Sequence, residues 1–269
     1  MTKQFSLLGI PFDQNSSYMR GPALAPRLIR EALYCDSSNL FNESGLDVAS
    51  VIHDAGDLTL PTDSLTAFAA IERNVMALLE QGRPLLSLGG DHSITYPIIK
   101  AFSRKFPRLS ILHFDAHPDL YDELQGNRYS HACPFARIME EGLVQRLVQV
   151  GIRTMNYHQS DQARRFGVEV LEMRECSDIG DLQLSGPVYI SFDLDVLDPA
   201  FAPGVSHWEP GGMSVREAIS WVHSVQVPLV GADLVEFNPT RDGTGRTAAV
   251  CAKIVKELAT LLSNFQESR

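Results

Sequence analysis

Three short clusters in this sequence hold the side chains best suited to binding metal ions. They are Gly-Gly-Asp-His-Ser at residues 89–93, His-Phe-Asp-Ala-His-Pro-Asp at 113–119, and Ser-Phe-Asp-Leu-Asp at 191–195. In the second and third clusters the candidate ligands alternate, and a strand points every second side chain to the same face. A buried group of carboxylates repels itself unless cations lie among them. The pattern therefore predicts a hydrolytic site that holds two metal ions.

The predicted ligand set combines carboxylates with imidazoles. Its members are His92, Asp115, His117, Asp119, Asp193 and Asp195. Two divalent cations would balance the four carboxylates, and a pair of ions about 3.5–4 Å apart can lower the pKa of a shared water towards neutrality. Loss of a proton from this water would leave the centre with one net negative charge, which suits a planar cation such as a guanidinium. A set rich in oxygen and without thiolate favours Mn²⁺, with Zn²⁺, Fe²⁺, Co²⁺ or Ni²⁺ as alternatives.

Each cluster taken alone has a simpler interpretation. A lone Asp-x-Asp is usually a solvated turn, a lone histidine is usually a core or surface residue, and Asp91 alone is typical of a turn or a helix cap. Three such clusters at the ends of predicted strands are improbable as packing. We therefore favour the metal site over the separate interpretations.

Strand-like and helix-like segments alternate along the chain. We expect strands at 5–11, 84–88, 109–114, 147–152, 168–171, 188–192 and 227–235, and helices at 26–33, 65–79, 94–106, 131–141, 161–166, 214–225 and 247–262. Ser214 and Glu217 form a capping box at the start of one helix, and we expect a loop at 54–57. The alternation predicts an α/β fold, a mostly parallel sheet covered by helices on both faces. Sites in such sheets form at the carboxyl ends of strands, where all three clusters fall.

Composition limits the function classes. The 269 residues contain 44% hydrophobic side chains and no evident linker, which predicts one domain over 1–269. The net charge of −10 argues against nucleic acid or an anionic membrane as partner and is compatible with a cationic substrate. No apolar run is long enough to span a membrane. The four cysteines are scattered and the N-terminus lacks the features of a secretion signal or transit peptide, so we expect a cytoplasmic protein.

The three clusters resemble the signature motifs of the ureohydrolases, the family of arginases and agmatinases. Three further segments resemble the plant-type arginases: Asp-Pro-Ala-Phe-Ala-Pro-Gly-Val-Ser-His-Trp-Glu-Pro-Gly-Gly at 198–212, Gly-Asn-Arg-Tyr-Ser-His at 126–131 and Val-Glu-Phe-Asn-Pro at 235–239. The resemblance covers nearly the whole chain. It implies the three-layer αβα arginase-like fold, two Mn²⁺ per chain and a homo-oligomer, either a trimer or a hexamer.

The resemblance also implies a role for each site residue. One metal would be held by His92 and Asp119, the other by His117 and Asp195, and both by Asp115 and Asp193. Glu236 would accept two parallel N–H bonds from the substrate guanidinium. His131 would be a substrate contact and proton shuttle, and Asn127 is a candidate contact for the far end of the substrate. Simpler alternatives are a surface charge for Glu236 and a helix cap for His131.

The implied reaction is hydrolysis of L-arginine to L-ornithine and urea. A metal-bridging hydroxide would attack the guanidinium carbon, and Asp115 would pass a proton to the departing amine. Hydrolysis of agmatine to putrescine and urea, or of another guanidino compound, stays open. An arginine site needs donors for one more carboxylate, which Asn127, Arg128, Ser130 and His158 could supply.

Two further classes stay open, and one loop departs from the family pattern. The classes are a deacetylase-like amide hydrolase, typically with one zinc ion, and a non-catalytic scaffold stabilised by metal. The presence of all the expected ligands and of Glu236 argues against the scaffold. Residues 205–208 stand where many family members have Thr-Gly-Thr-Pro, so no role transfers to His207.

Overall fold

A parallel sheet of eight strands runs through the protein. The structure is a computed structural model that describes residues 3–176, 182–227 and 229–265. The strands are β1 (Phe5–Gly9), β2 (Ile52–Asp57), β3 (Leu85–Leu88), β4 (Ser110–Phe114), β5 (Arg146–Ile152), β6 (Glu169–Glu172), β7 (Val188–Asp193) and β8 (Leu229–Val235). Their order across the sheet is β2-β1-β3-β8-β7-β4-β5-β6, and the neighbouring strands pair in parallel.

Helices cover both faces of this sheet. They are α1 (Ala25–Leu33), α2 (Ser64–Leu79), α3 (Thr95–Lys105), α4 (Pro134–Glu140), α5 (Tyr157–Phe166), α6 (Val215–Ser224) and α7 (Arg246–Ser263). Apolar residues of α1, α6 and α7 pack in one core, and those of α2 to α5 pack in a second. Alternate residues of a strand face opposite sides, and Leu7 and Leu8 of β1 accordingly belong to different cores. The predicted three-layer αβα fold with a mostly parallel sheet is confirmed.

Strand β2, at the edge of the sheet, includes residues that we expected to form a loop. The loop expected at 54–57 is wrong, because these residues belong to β2 and pair with β1. Most of the strand is exposed, and its polar sequence is typical of a sheet edge. Arg30 of α1 holds it from one side, with its Nε 2.9 Å from Asp54 Oδ2 and its Nη1 2.5 Å from Asp57 Oδ1.

The helix starts follow local capping chemistry. The capping box of Ser214 and Glu217 is confirmed at the start of α6. A second capping box, formed by Asn156 and Gln159, starts α5 four residues before the predicted position. Conversely, α4 begins at Pro134 and leaves His131 in the preceding loop. Among the described residues, no helix has both the length and the apolar character needed to cross a bilayer.

The centre of the sheet brings the three clusters together. Strands β3, β8, β7 and β4 are consecutive neighbours in the sheet. Because they are parallel, their carboxyl ends lie at one edge, and the clusters at 89–93, 113–119 and 191–195 contain or directly follow the ends of β3, β4 and β7. The segment after β8 carries Glu236 to the same edge.

Candidate metal centre and adjoining cavity

Loops, rather than strand alternation, gather the candidate ligands. Strand β4 ends at Phe114, so Asp115, His117 and Asp119 lie on the loop that follows it. Asp195 lies in a 3₁₀ turn, Leu194–Val196, after β7. The alternating-strand interpretation of these residues is therefore wrong in its geometry. The backbone of Asp119 has a φ of 50°, which lies in the left-handed region and turns the loop sharply.

The loop after β3 is locked against the loop after β1. A Cβ on Gly90 would lie 1.8 Å from the carbonyl oxygen of Phe12, so only glycine fits at this close approach. Asp91 accepts a hydrogen bond from Ser93 N at 3.1 Å, as a helix cap does, and one from Asn15 N at 3.0 Å. Burial, followed by the charge of Glu236, raises the pKa of Asp91 to about 6. These contacts fix the position from which His92 enters the site.

His92 faces three carboxylates with an unpaired nitrogen. Its Nδ1 lies 3.2 Å from Asp115 Oδ2 and 3.1 Å from the Oδ2 atoms of both Asp119 and Asp193. This nitrogen is buried and has no hydrogen-bond partner among the described residues. When two ligand atoms each lie about 2.1 Å from one cation and the angle between them at the cation is a right angle, the two atoms are about 3.0 Å apart. The separations and the unpaired nitrogen fit a metal ion at this point.

The pKa values of His92 and Asp193 are shifted by the negative charge of the carboxylates around them. Burial alone would lower the pKa of His92, but the carboxylates of Asp115, Asp119 and Asp193 that face its Nδ1 raise it well above the ordinary value. Burial and the neighbouring Asp195 and Asp115 raise the pKa of Asp193 well above its ordinary value. The negative charge of these clustered carboxylates, which holds protons strongly, also attracts a divalent cation.

A second group of ligands surrounds His117. Its Nδ1 lies 3.0 Å from Asp195 Oδ2 and 3.4 Å from Asp115 Oδ1. Asp115 therefore belongs to both groups, with one oxygen facing each histidine. Burial alone would lower the pKa of His117, but Asp195 and Asp115 raise it well above the ordinary value. Two groups of candidate ligands therefore share Asp115: one is centred on His92 and the other on His117.

His113 contacts a candidate metal ligand, and the sequence analysis did not single it out. Its Nε2 lies 2.8 Å from Asp115 Oδ2, and Gln149 Nε2 lies 3.1 Å from its Nδ1. Burial lowers the pKa of His113. The Gln149 amide nitrogen can only donate, so His113 Nδ1 accepts this hydrogen bond and Nε2 carries the hydrogen that is donated to Asp115. This contact orients the carboxylate that the two groups share. The only indication in the sequence was that His113 lies two residues before the candidate ligand Asp115.

Glu236 and His131 form a pair beside the candidate metal centre. Glu236 Oε1 accepts hydrogen bonds from the backbone N of His92 at 2.8 Å and from His131 Nδ1 at 2.9 Å. Its Oε2 has no hydrogen-bond partner among the described residues, and Glu236 lines the adjoining cavity. His131 Nε2 lies 2.8 Å from Ser17 Oγ. Burial alone would lower the pKa of His131, but Glu236 raises it to about 9, which makes this a charged pair.

A cavity of about 180 Å³ opens onto the ligands. Asp119, Asp193 and Asp195 lie on its wall, together with His131 and Glu236. This volume is below the usual size of drug-sized pockets, so it suits a small molecule rather than a macromolecule.

The part of the cavity wall formed by residues outside the ligand segments, here called the far wall, carries neutral polar groups. It is lined by Tyr121, Thr154, Asn156 and Gln159, and Asn156 Nδ2 donates to the Tyr121 hydroxyl at 2.7 Å. His207 also lines the cavity, and its ring stacks on that of His131 with centroids 5.4 Å apart. Sequence reasoning assigned none of these residues to the site. The capping pattern after β5 was the only signal for Asn156.

The structure does not bring Asn127 to the cavity. Its Nδ2 donates to Asn15 Oδ1 at 3.2 Å, and its Oδ1 accepts from Tyr129 N at 2.9 Å. The other carboxylate donors considered from the sequence, Arg128, Ser130 and His158, are also absent from the described cavity wall. Asn127 shapes the loop before His131 instead.

Comparison with known proteins places these observations in a family. The family model described as the Arginase family matches residues 3–260. Arginase 1, mitochondrial, from Arabidopsis thaliana is 49% identical over 96% of this chain and 81% of that protein. Arginase 2, chloroplastic/mitochondrial, from the same plant is 47% identical over 96% of this chain and 80% of that protein. The solved structure of arginase from Medicago truncatula superposes with a TM-score of 0.91 at 44% identity, covering 96% of this chain and 87% of that one.

These relatives overturn the expected cytoplasmic location. The two Arabidopsis proteins are named mitochondrial or chloroplastic, so the prediction of a cytoplasmic protein is wrong. The inference failed because scattered cysteines without a disulfide pattern are compatible with several compartments and do not identify one.

Proposed function

This chain belongs to the arginase family, and we propose that it hydrolyses L-arginine to L-ornithine and urea. One observation carries the proposal: the unpaired Nδ1 of His92 faces three carboxylates, and two of these line a small cavity together with Glu236. The similarity to plant arginases supports the choice of arginine within the family. Water adds to the guanidinium carbon, the bond from that carbon to the ornithine nitrogen breaks, and a proton passes to this nitrogen.

We propose that the site holds two Mn²⁺ ions per chain. Asp115 and Asp193 would contribute to both, and the remaining ligands would be His92 with Asp119 and His117 with Asp195. Bound there, the pair would supply Lewis-acid activation of water at neutral pH. Two groups of candidate ligands that share Asp115 support this stoichiometry over the single zinc of a deacetylase-like enzyme.

Glu236 and His131 would bind the substrate and move protons. The unpaired Oε2 of Glu236 would accept an N–H from the guanidinium, while Oε1 stays occupied by His92 N and His131 Nδ1. Asp115 would hand a proton to the departing amine, and its carboxylate is oriented for this by the Nε2–H of His113. His131 would exchange a proton with the cavity through Nε2, next to Ser17.

The neutral far wall makes agmatine the second candidate. No Lys or Arg is among the described residues that line the cavity. The carboxylate of arginine would therefore be held by neutral donors such as Asn156 and Thr154. Agmatine lacks that carboxylate and would need no cationic partner there.

Urea release tests the proposal directly. Purified, Mn²⁺-loaded protein is assayed with L-arginine and with agmatine at equal concentration, and we expect a strong preference for arginine. A preference for agmatine would support the second candidate. No urea from either substrate would contradict the proposal and move the search to other guanidino compounds and then to amides.

Two variants test the far wall. Asn156→Asp keeps the helix cap of α5 but places a negative charge opposite the arginine carboxylate, so we expect KM for arginine to rise and KM for agmatine to change little. Asn127→Asp makes the same chemical change outside the cavity and is the matched control. Equal effects of Asn156→Asp on both substrates would show that the carboxylate binds elsewhere.

We also propose that residues 1–269 form one domain and assemble as a trimer or hexamer. One continuous sheet from β1 to β8 supports the single domain. Large exposed apolar side chains, including Tyr157 at 93% and Tyr18 at 67% exposure, are compatible with assembly. A single cooperative unfolding transition and the mass measured by light scattering test these two points.

A further inference from the structure

A buried carboxylate lies behind the candidate metal centre, on β8. Asp233 accepts a hydrogen bond from Ser191 Oγ at 2.8 Å through Oδ1. Its Oδ2 accepts from Thr95 Oγ1 and from the Tyr189 hydroxyl, both at 2.9 Å. All four residues are buried. Each hydroxyl has one proton, and all three protons are directed at Asp233.

Ser191 connects this carboxylate to His92. Its Oγ lies 3.0 Å from His92 Nε2. Because the hydroxyl proton is committed to Asp233, Ser191 can only accept a hydrogen bond from the Nε2–H of the imidazole. A neutral imidazole carries one N–H. In the neutral ring that would bind a metal, this N–H is therefore on Nε2, and Nδ1 is the nitrogen left to bind a cation among Asp115, Asp119 and Asp193.

We propose that Ser191 and Asp233 are positioning residues that fix the tautomer and orientation of His92 for metal binding. The inference rests on the metal centre of the proposed function. The alternative tautomer carries its proton on Nδ1, where it would occupy the point expected for the cation. In metal sites, a hydrogen bond to one ring nitrogen of a histidine commonly fixes the proton on that nitrogen and orients the other nitrogen towards the metal. Here Ser191 accepts that hydrogen bond, and Asp233 fixes the direction of the Ser191 hydroxyl.

Calorimetric titration with MnCl₂ tests this assignment without an activity assay. Metal-free wild-type protein is compared with Ser191→Ala and Tyr189→Phe. In Ser191→Ala, we expect affinity for one of two Mn²⁺ ions to fall by about 10–100-fold, with the other ion bound as in wild type. Tyr189→Phe also removes a donor from Asp233 but keeps the link to His92, so it should bind both ions as wild type does.

The outcomes separate this inference from the proposed function. Wild-type protein that binds fewer than two Mn²⁺ would contradict the metal centre itself. Two ions bound by Ser191→Ala with wild-type affinity would overturn only the role of Ser191, as would equal losses in Ser191→Ala and Tyr189→Phe.

A measurement on the wild-type protein keeps the test valid if Ser191→Ala does not fold. Protein labelled with ¹⁵N-histidine and loaded with Zn²⁺, which is diamagnetic, reports the tautomer of each ring by NMR. We expect His92 to carry its proton on Nε2. A proton on Nδ1 would overturn the proposal.

Discussion

The two histidines of the candidate metal centre have opposite surroundings. The side chain of His92 is 0% exposed and its Nε2 is tied through Ser191 to Asp233 in the core. The side chain of His117 is 25% exposed and lines the cavity, with its Nε2 3.6 Å from Glu209 Oε1, beyond hydrogen-bond distance. One half of the centre is therefore part of the folded core, whereas the other half belongs to the cavity wall.

Removing Asp193 should break both halves at once. Asp193 faces His92 through Oδ2 and accepts Asp195 N through Oδ1 at 2.8 Å. We expect Asp193→Ala to lower kcat by about 10⁴-fold or more, the loss typical of a central catalytic group, while the protein stays folded. Urea release and circular dichroism measure the two effects. Asp161→Ala, at an exposed aspartate on α5, is the control, and substantial activity in Asp193→Ala would rule out its place in a two-metal centre.

Separate alanine substitutions of the two histidines test the difference between the halves. His92→Ala leaves a cavity and unpaired polar groups in the core, so we expect the metal-free protein to lose about 2–4 kcal/mol of unfolding free energy. His117→Ala also removes a partner of Asp195 and Asp115, but its side chain is 25% exposed and leaves no closed cavity in the core, so we expect a smaller loss of about 1–2 kcal/mol. Urea denaturation of the metal-free variants gives both values. Equal losses would contradict the distinction between core and cavity wall.

The pH dependence of stability should come partly from the cavity wall. The pKa of His131 is raised from 6.5 to about 9, so its stabilising contribution is complete below about pH 6.5 and is lost as the pH rises through about 9. A shift of this size corresponds to about 3 kcal/mol. We expect the unfolding free energy of metal-free protein to fall over this window, and to fall less in His131→Asn. Parallel pH profiles for the two proteins would argue against a charged His131.

Glu209 should have the smallest effect. It is the nearest carboxylate to the outer nitrogen of His117, but the pair is partly exposed and not hydrogen-bonded. We expect Glu209→Gln to weaken Mn²⁺ binding by at most about fivefold, which corresponds to an exposed ion pair of below about 1 kcal/mol. Calorimetric titration measures this change. A loss as large as that expected for Ser191→Ala would mean that both histidines depend equally on their outer partners.

The fold was accessible from the sequence because its signals are local. Alternating apolar segments, the capping box of Ser214 and the clusters after predicted strands reflect chemistry within a few residues. The strand β2 was missed because its residues carry no apolar pattern, and pairing with β1 and contact with Arg30 define it instead. Such contacts join residues far apart in the chain.

The candidate site was accessible only in part. The residue types that bind metals are few, so the ligand candidates stand out, and the structure brings all six together. The residues that orient them do not stand out, because His113, Ser191 and Asp233 have common types and act through distant partners. The far wall was misplaced for the same reason: Asn127 precedes His131 in a motif, whereas Asn156 reaches the cavity from another strand end.

The left-handed backbone at two carboxylates has a consequence for how this protein can change. Asp119 and Glu236 have φ values of 50° and 64°, a conformation that costs a residue with a Cβ about 1–2 kcal/mol and glycine almost nothing. At both positions glycine would adopt this backbone conformation most easily, but it has no carboxylate to face the cavity. At Glu236 this backbone cost is offset by the hydrogen bonds that its carboxylate accepts from His92 N and His131 Nδ1. A laboratory selection for thermal stability alone would therefore move towards glycine first at Asp119, and such a library should keep that codon fixed.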